Sequence, residues 1–244
     1  MTTSVIVIPF SHLLIALLPA MVVLALLWHW SLGAGEGVYA LARMAVQLIG
    51  IGYVLTWLLR TDDAVIVGAF LLLMLLAAGW IAVRPVRSRP GVLRRSLLAI
   101  GAGSLPVLFL MTEFVLRVGH WYEPHVVIPL AGMVLANSMN TVSLAAERFV
   151  AERSRDTAIL MARNSAMQAA LLPTVNSLLA VGIVSLPGMM TGQILSGVDP
   201  LLAVRYQVMV MAMIFAASGL AAGCYLAAAV RAEKTNPAEA GLVL

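Results

Sequence analysis

The chain of 244 residues offers chemistry in only a few places. Glu113 and Arg117 stand four apart, a spacing that brings a carboxylate and a guanidinium onto one helix face. His120-Trp121-Tyr122-Glu123-Pro124-His125 holds two imidazoles and a carboxylate, ligand types for a divalent transition metal. Its two large aromatic rings are also of the kind that belt a membrane surface. Ser185-Leu186-Pro187-Gly188-Met189-Met190-Thr191-Gly192-Gln193 combines a proline, two glycines, two thioethers and an amide. Proline removes a backbone donor and glycine permits bends, so this stretch should interrupt a helix. Side-chain amides recur at Gln47, Asn137, Asn140, Asn176 and Gln207, and Arg148, Glu152, Arg153 and Arg155 crowd one charged stretch over 147–163.

Several chemistries are missing. A phosphate-binding loop needs Gly-Lys-Ser/Thr closing a glycine-rich turn, whereas Lys234 follows Glu233 in a polar tail. There is no zinc-finger spacing of Cys and His, no His-Glu-x-x-His and no Gly-x-Ser-x-Gly. No residue is therefore assigned as catalytic, and no cofactor is expected on this chain.

The elements that position these residues follow from composition. The sequence is 62% hydrophobic and 11% charged, against about 25% charged in a soluble domain. So little polar surface could not cover a water-soluble globule, and a disordered chain is poor in apolar residues. Nucleic-acid binding is not expected either, because a sequence pI near 9.7 here reflects a net charge of only +4. Cys224, the single cysteine, forms no intrachain disulfide. These features describe an all-α, polytopic helical bundle in a lipid bilayer.

About 20 apolar helical residues cross the hydrocarbon core. Charge-poor intervals place crossings at 11–30, 38–59, 64–83, 96–116, 126–146, 167–195 and 203–230, about seven in all. They form one transmembrane domain over 1–230, followed by a cytoplasmic polar tail at 231–244. The first basic residue is Arg43, so the first crossing reads as an uncleaved helix rather than a signal peptide. The sixth interval is too long for one straight rod and contains Pro173 and Pro187. It reads as a re-entrant or interfacial piece near 166–174 followed by a broken helix. With seven crossings, twelve Lys and Arg face one side, including Arg84, Arg87, Arg89, Arg94 and Arg95, and three (Arg60, Arg117 and Arg205) face the other. The positive-inside rule then puts the N-terminus outside and the C-terminus in the cytoplasm.

In a bilayer the chemical residues take on sharper meanings. Non-helical backbone at membrane depth survives only where protein buries it or water reaches it. The break at Pro187, Gly188, Met189, Met190 and Gln193 therefore reads as the lining of a translocation path; Gly188 and Gly192 read equally as a small-residue packing face. The methionine pair suits soft metals better than hard Fe(III), or simply packs. Gln47, Asn137, Asn140, Asn176 and Gln207 outline a polar interior or act as interhelical glue. Glu113 with Arg117 is a possible ion relay or a structural pair near the interface. The 147–163 stretch reads as a helix continuing the fifth crossing. Its Arg148, Glu152, Arg153 and Arg155 are a solvated face or a surface for a cytoplasmic partner. Anionic headgroups account for the run Arg84–Arg95.

The stretch from Ser185 to Pro200, continuing through Ala203-Val204-Arg205-Tyr206-Gln207-Val208-Met209-Val210, resembles the bacterial iron-export ABC permease family. It is similar also to the related plant aluminium-tolerance half-transporters. Ala169–Ser177, Val127–Met133 with Asn137 and Met139, and Arg43, Gln47-Leu48 and Gly52–Leu55 carry the resemblance upstream. It implies a multi-pass permease of the cell inner membrane that forms a homodimer and pairs with a separate cytoplasmic ABC ATPase holding ATP and Mg. Bacterial members are linked to iron efflux and plant members to UDP-glucose movement, so metal binding stays unassigned. The resemblance also implies a longer cytoplasmic stretch with a Gly-Ala-Ser/Thr-Pro-like turn between the fifth and sixth crossings, whereas 147–163 runs straight to Asn164 without such a turn. A proton-coupled secondary transporter using Glu113 is the principal alternative. A membrane-embedded sensor without transport is the third.

Overall fold

A computed structural model describes residues 9–235. Their elements are helical throughout, apart from one isolated bridge between Val181 and Ser185. The chain divides into two compact units at Arg60–Thr61. The first holds α1 (Phe10–His29) and α2 (Ala34–Leu58), a hairpin whose turn places Ser31 and Gly33 in the left-handed region. Leu13, Ile15, Leu18, Val22, Val46 and Ile49 remain exposed on these two helices, as lipid-facing side chains must be.

The second unit holds α3 (Ala64–Ala82), α4 (Val92–Leu110), α5 (Pro124–Arg153), α6 (Ile159–Ala180), α7 (Gly188–Leu195) and α8 (Pro200–Thr235). Carboxylates set two of the helix starts. The Asp63 side chain accepts from the Val65 N–H at 2.8 Å, and Asp199 accepts from the Leu201 and Leu202 N–H groups at 2.9 and 3.2 Å. Lipid tails give helices no hydrophobic reason to associate, so close packing of small residues holds the bundle. Its core accordingly includes Ala99, Ala131, Ala145, Ala166, Ala217 and Ala221. At the α4–α8 crossing a Cβ on Gly103 would lie 2.7 Å from the Cα of Ala221, so only glycine fits. Buried hydroxyls add polar links. Ser104 Oγ donates to Ser138 Oγ at 2.9 Å between α4 and α5, and Ser96 Oγ donates to the Gly79 carbonyl at 3.2 Å between α4 and α3.

Six helices (α1 to α5 and α8) are long and apolar enough to cross a membrane. The expected sixth crossing is divided between α6 and the short α7. Its interruption differs from the sequence expectation: α6 runs unbroken through Pro173, and the helix fails at 181–187 instead. Pro173 lacks an N–H and so removes the helical donor to the Ala169 carbonyl, yet the helix continues, with Ser177 Oγ adding a local bond to the Pro173 carbonyl at 2.9 Å.

The 147–163 stretch is likewise not one helix. α5 ends at Arg153, and a turn over 154–158 with Asp156 at φ 61° reverses the chain into α6. A turn is therefore present here, but it is made by an aspartate that tolerates the left-handed region and not by the glycine- and proline-containing motif that the resemblance implies. The polar tail expected at 231–244 begins as the last residues of α8, while 236–244 lie outside the described residues.

Candidate functional site

Two interruptions of the second unit carry most of the residues singled out above. The first is the α6–α7 break. The N–H groups of Ile183, Val184 and Ser185 all converge on the Ala180 carbonyl, at 3.3, 2.8 and 3.2 Å. Gly182, at φ 84°, donates to the Ser185 carbonyl at 2.9 Å. The carbonyls of Gly182, Ile183 and Val184 accept no backbone hydrogen bond. Pro187 then serves as the N-cap of α7, and the Thr191 hydroxyl donates back to its carbonyl at 3.1 Å. Freed carbonyls cannot face lipid, so this segment belongs against water, a headgroup layer or another protein surface.

Beside the break lies a groove of about 470 Å³ between the end of α6, α7 and α8, with Leu178, Val181, Met190, Val204, Met211 and Gln207 among its walls. Gln207 is the polar side chain of this groove. It is 6% exposed, and its Oε1 has no hydrogen-bond partner. The Oε1 of Gln193 on α7 is also buried without a partner. A buried amide oxygen left unpaired costs about 1–3 kcal/mol. It is a strong acceptor waiting for a donor or a cation. Met189 packs against the core and Met190 lines the groove. A Cβ at Gly188 or Gly192 would meet nothing within 4 Å, so neither glycine is packed against a neighbouring helix here.

The other amides do not form one buried interior. Asn137 is half-buried and spends its Nδ2 on the Met133 carbonyl of its own helix at 2.8 Å. Asn140 and Asn176 are exposed on α5 and α6, and Gln47 is exposed on α2 in the first unit. Only Gln207 of the five is buried, because α8 is the helix enclosed by α4, α5 and α6.

The second interruption is the α5–α6 turn. Arg148 bridges to Glu152 at 2.6 Å, one turn along α5. The same carboxylate accepts from the Thr157 hydroxyl at 3.1 Å and the Ser165 hydroxyl at 3.2 Å, which ties the end of α5 to the start of α6. Arg153 donates to the Thr157 carbonyl and pairs with Glu233 on α8 at 2.5 Å. Three of the four residues expected to meet a partner are thus committed to the turn. Arg155 is exposed at its tip, with no side-chain hydrogen bond among the described residues. The sequence reading missed Thr157, Ser165 and Glu233. Their signal was a pair of hydroxyls just beyond an acidic helix end.

Glu113 and Arg117 do not pair. Met111–Leu116 forms a π-helical turn and Arg117 follows it in the left-handed region, which carries the guanidinium off the face that four-residue spacing would share. The Glu113 Oε1 is buried without a partner. In the loop before α5, His120 stacks on Tyr122 at 5.2 Å, with Trp121 edge-on to the same ring at 5.6 Å. Among the described residues no three His, Cys, Asp or Glu side chains come together as a metal site.

Comparison with known proteins gives this arrangement a family. The sequence matches the uncharacterised protein family UPF0014 over residues 10–157 and 153–232. It is 37% identical to the UPF0014 membrane protein slr1647 of Synechocystis, covering 74% of this chain and 76% of that one. It is 35% identical to the probable iron export permease protein FetB of Escherichia coli, covering 77% and 78%. Identity to the protein ALUMINUM SENSITIVE 3 of Arabidopsis thaliana is 30%, covering 75% and 72%. No solved structure matches. With its apolar helices long enough to cross a bilayer, the chain is a multi-pass membrane protein and belongs to the UPF0014 family.

Proposed function

We propose that this chain is the membrane permease subunit of an ABC exporter in the cell inner membrane, carrying a metal such as iron and powered by a separate ATPase. The observation that carries the reading is the similarity to a probable iron export permease along three quarters of both chains. The break at 181–187 and the unpartnered oxygens of Gln193 and Gln207 support a path beside α7 and α8. The freed carbonyls of the break would face that path or a second copy of the chain in a homodimer. ATP and Mg would be held by the partner, docking on the end that carries Arg155, with the N-terminus on the opposite side of the membrane. ATP binding in trans would shift the population between inward-open and outward-open states.

The test is purification of the permease with the ATPase it captures. Hydrolysis should rise when the permease is present, and metal should accumulate less in cells that hold both proteins. Hydrolysis indifferent to the permease would remove the reading.

A second reading rests on Glu113. An unpartnered carboxylate oxygen on a π-helical turn is a candidate proton relay. Glu113→Gln should then abolish transport in vesicles lacking ATP, whereas a strict ATP requirement excludes it. The wall chemistry bears on substrate. Thioether sulfur suits a soft ion better than hard Fe(III). Export of a nucleotide sugar, an anion, is the alternative to compare with metal.

A further inference from the structure

The arginine-rich end of the second unit contains a cleft that the proposed transport path does not use. It lies between the first turn of α4 and the last turns of α8, encloses about 430 Å³, and has Gly91, Arg94, Arg95, Leu98, Ala228 and Ala232 among its walls. Its charge is one-sided. Arg94 is exposed and, among the described residues, makes no hydrogen bond or ion pair. Arg95 is held in place by its own donors, Nη2 to the Pro90 carbonyl at 2.6 Å and Nε to the Gly91 carbonyl at 3.3 Å. A guanidinium carries five N–H donors, so these bonds fix its position without exhausting it. Glu233 faces Arg95 across an adjoining smaller cavity, and that carboxylate is already paired with Arg153.

Both arginines stand where a helix disfavours them. The start of α4 is the positive end of its dipole, it has no side-chain cap, and no acidic residue lies in its first turn. Cations there repel the helix end unless an anion sits between them. One turn further along α4 the walls turn apolar, with Leu98, 63% exposed, and Ala228 both lining the cleft. Close by in sequence, the Arg87 guanidinium lies 5.3 Å over the Trp80 ring, an aromatic and cationic pair suited to headgroup depth.

We propose that this cleft binds an anionic phospholipid, its phosphate held by Arg94 and Arg95 and an acyl chain lying along Leu98 and Ala228. A cationic mouth above an apolar wall fits an amphiphile rather than a free anion, which would leave that wall bare. The site is independent of the transport reading.

The test is native mass spectrometry of the full chain in detergent, titrated with phosphatidylglycerol, phosphatidylcholine or inorganic phosphate. Arg94→Gln carries it, because Arg95 also anchors backbone; Arg205→Gln, at the other end of α8, removes an equal charge elsewhere. The expected result is preference for phosphatidylglycerol, weakened about five-fold in Arg94→Gln and unchanged in Arg205→Gln. Equal binding of both lipids, equal weakening in both variants, or competition by inorganic phosphate at the lipid's own concentration would each overturn the proposal. So would an Arg94→Gln chain that holds the lipid normally but no longer captures its ATPase.

Discussion

The α5–α6 turn and the α6–α7 break interrupt helices of the same bundle, yet they are held by opposite means. At the turn, side chains do the holding: Glu152 gathers Arg148, Thr157 and Ser165, and Arg153 reaches both the Thr157 carbonyl and Glu233 of α8. At the break, three N–H groups share one carbonyl, the carbonyls of Gly182, Ile183 and Val184 are among those left over, and Ile183 and Val184 are 90% and 83% exposed. Charge-assisted bonds between side chains on three helices resist displacement as a unit. Bifurcated backbone bonds around a left-handed glycine do not. The contrast suits a division of labour in which the turn transmits a push from a partner and the break changes shape in response.

Substitutions can test that contrast in order of expected size. Arg153→Ala should cost about 2 kcal/mol, since it removes charged hydrogen bonds and leaves Glu233 unpaired; thermal unfolding in detergent measures it. Gln207→Leu should leave stability unchanged or slightly raised, because it deletes a buried acceptor that has no partner. Flux in proteoliposomes should fall about tenfold, the worth of one hydrogen bond to the solute. Gly182→Ala should cost about 1 kcal/mol through its positive φ alone, as a Cβ there has open space. Arg155→Gln should change stability by less than about 0.5 kcal/mol while lowering the stimulation of ATP hydrolysis. An Arg155→Gln chain as destabilised as Arg153→Ala would erase the distinction between the turn's internal clamp and its exposed tip.

Much of this was legible from residues. Absence of charge located the membrane helices because length and hydropathy decide crossing without reference to neighbours. The Pro-Gly-Met-Met stretch announced a break, and the chain leaves the helix just before it, at the left-handed Gly182, with Pro187 opening the next helix. Burial of the amides was not legible. Gln207 and Asn140 look alike in sequence, and only the position of α8 among its neighbours separates them. The Glu113–Arg117 pair failed because a π turn alters the four-residue register, and nothing in the spacing foretells it. The turn at Asp156 was hidden because an aspartate, unlike a glycine, also fits a helix surface.

Flux through co-reconstituted permease and ATPase, measured with radiolabelled iron for wild type, Gln207→Leu and Arg155→Gln, tests the account most directly. ATP-dependent movement is expected in wild type. Gln207→Leu should retain ATPase stimulation but lose most flux, and Arg155→Gln should lose both together. Iron movement independent of ATP, or equal in all three proteins, would contradict it.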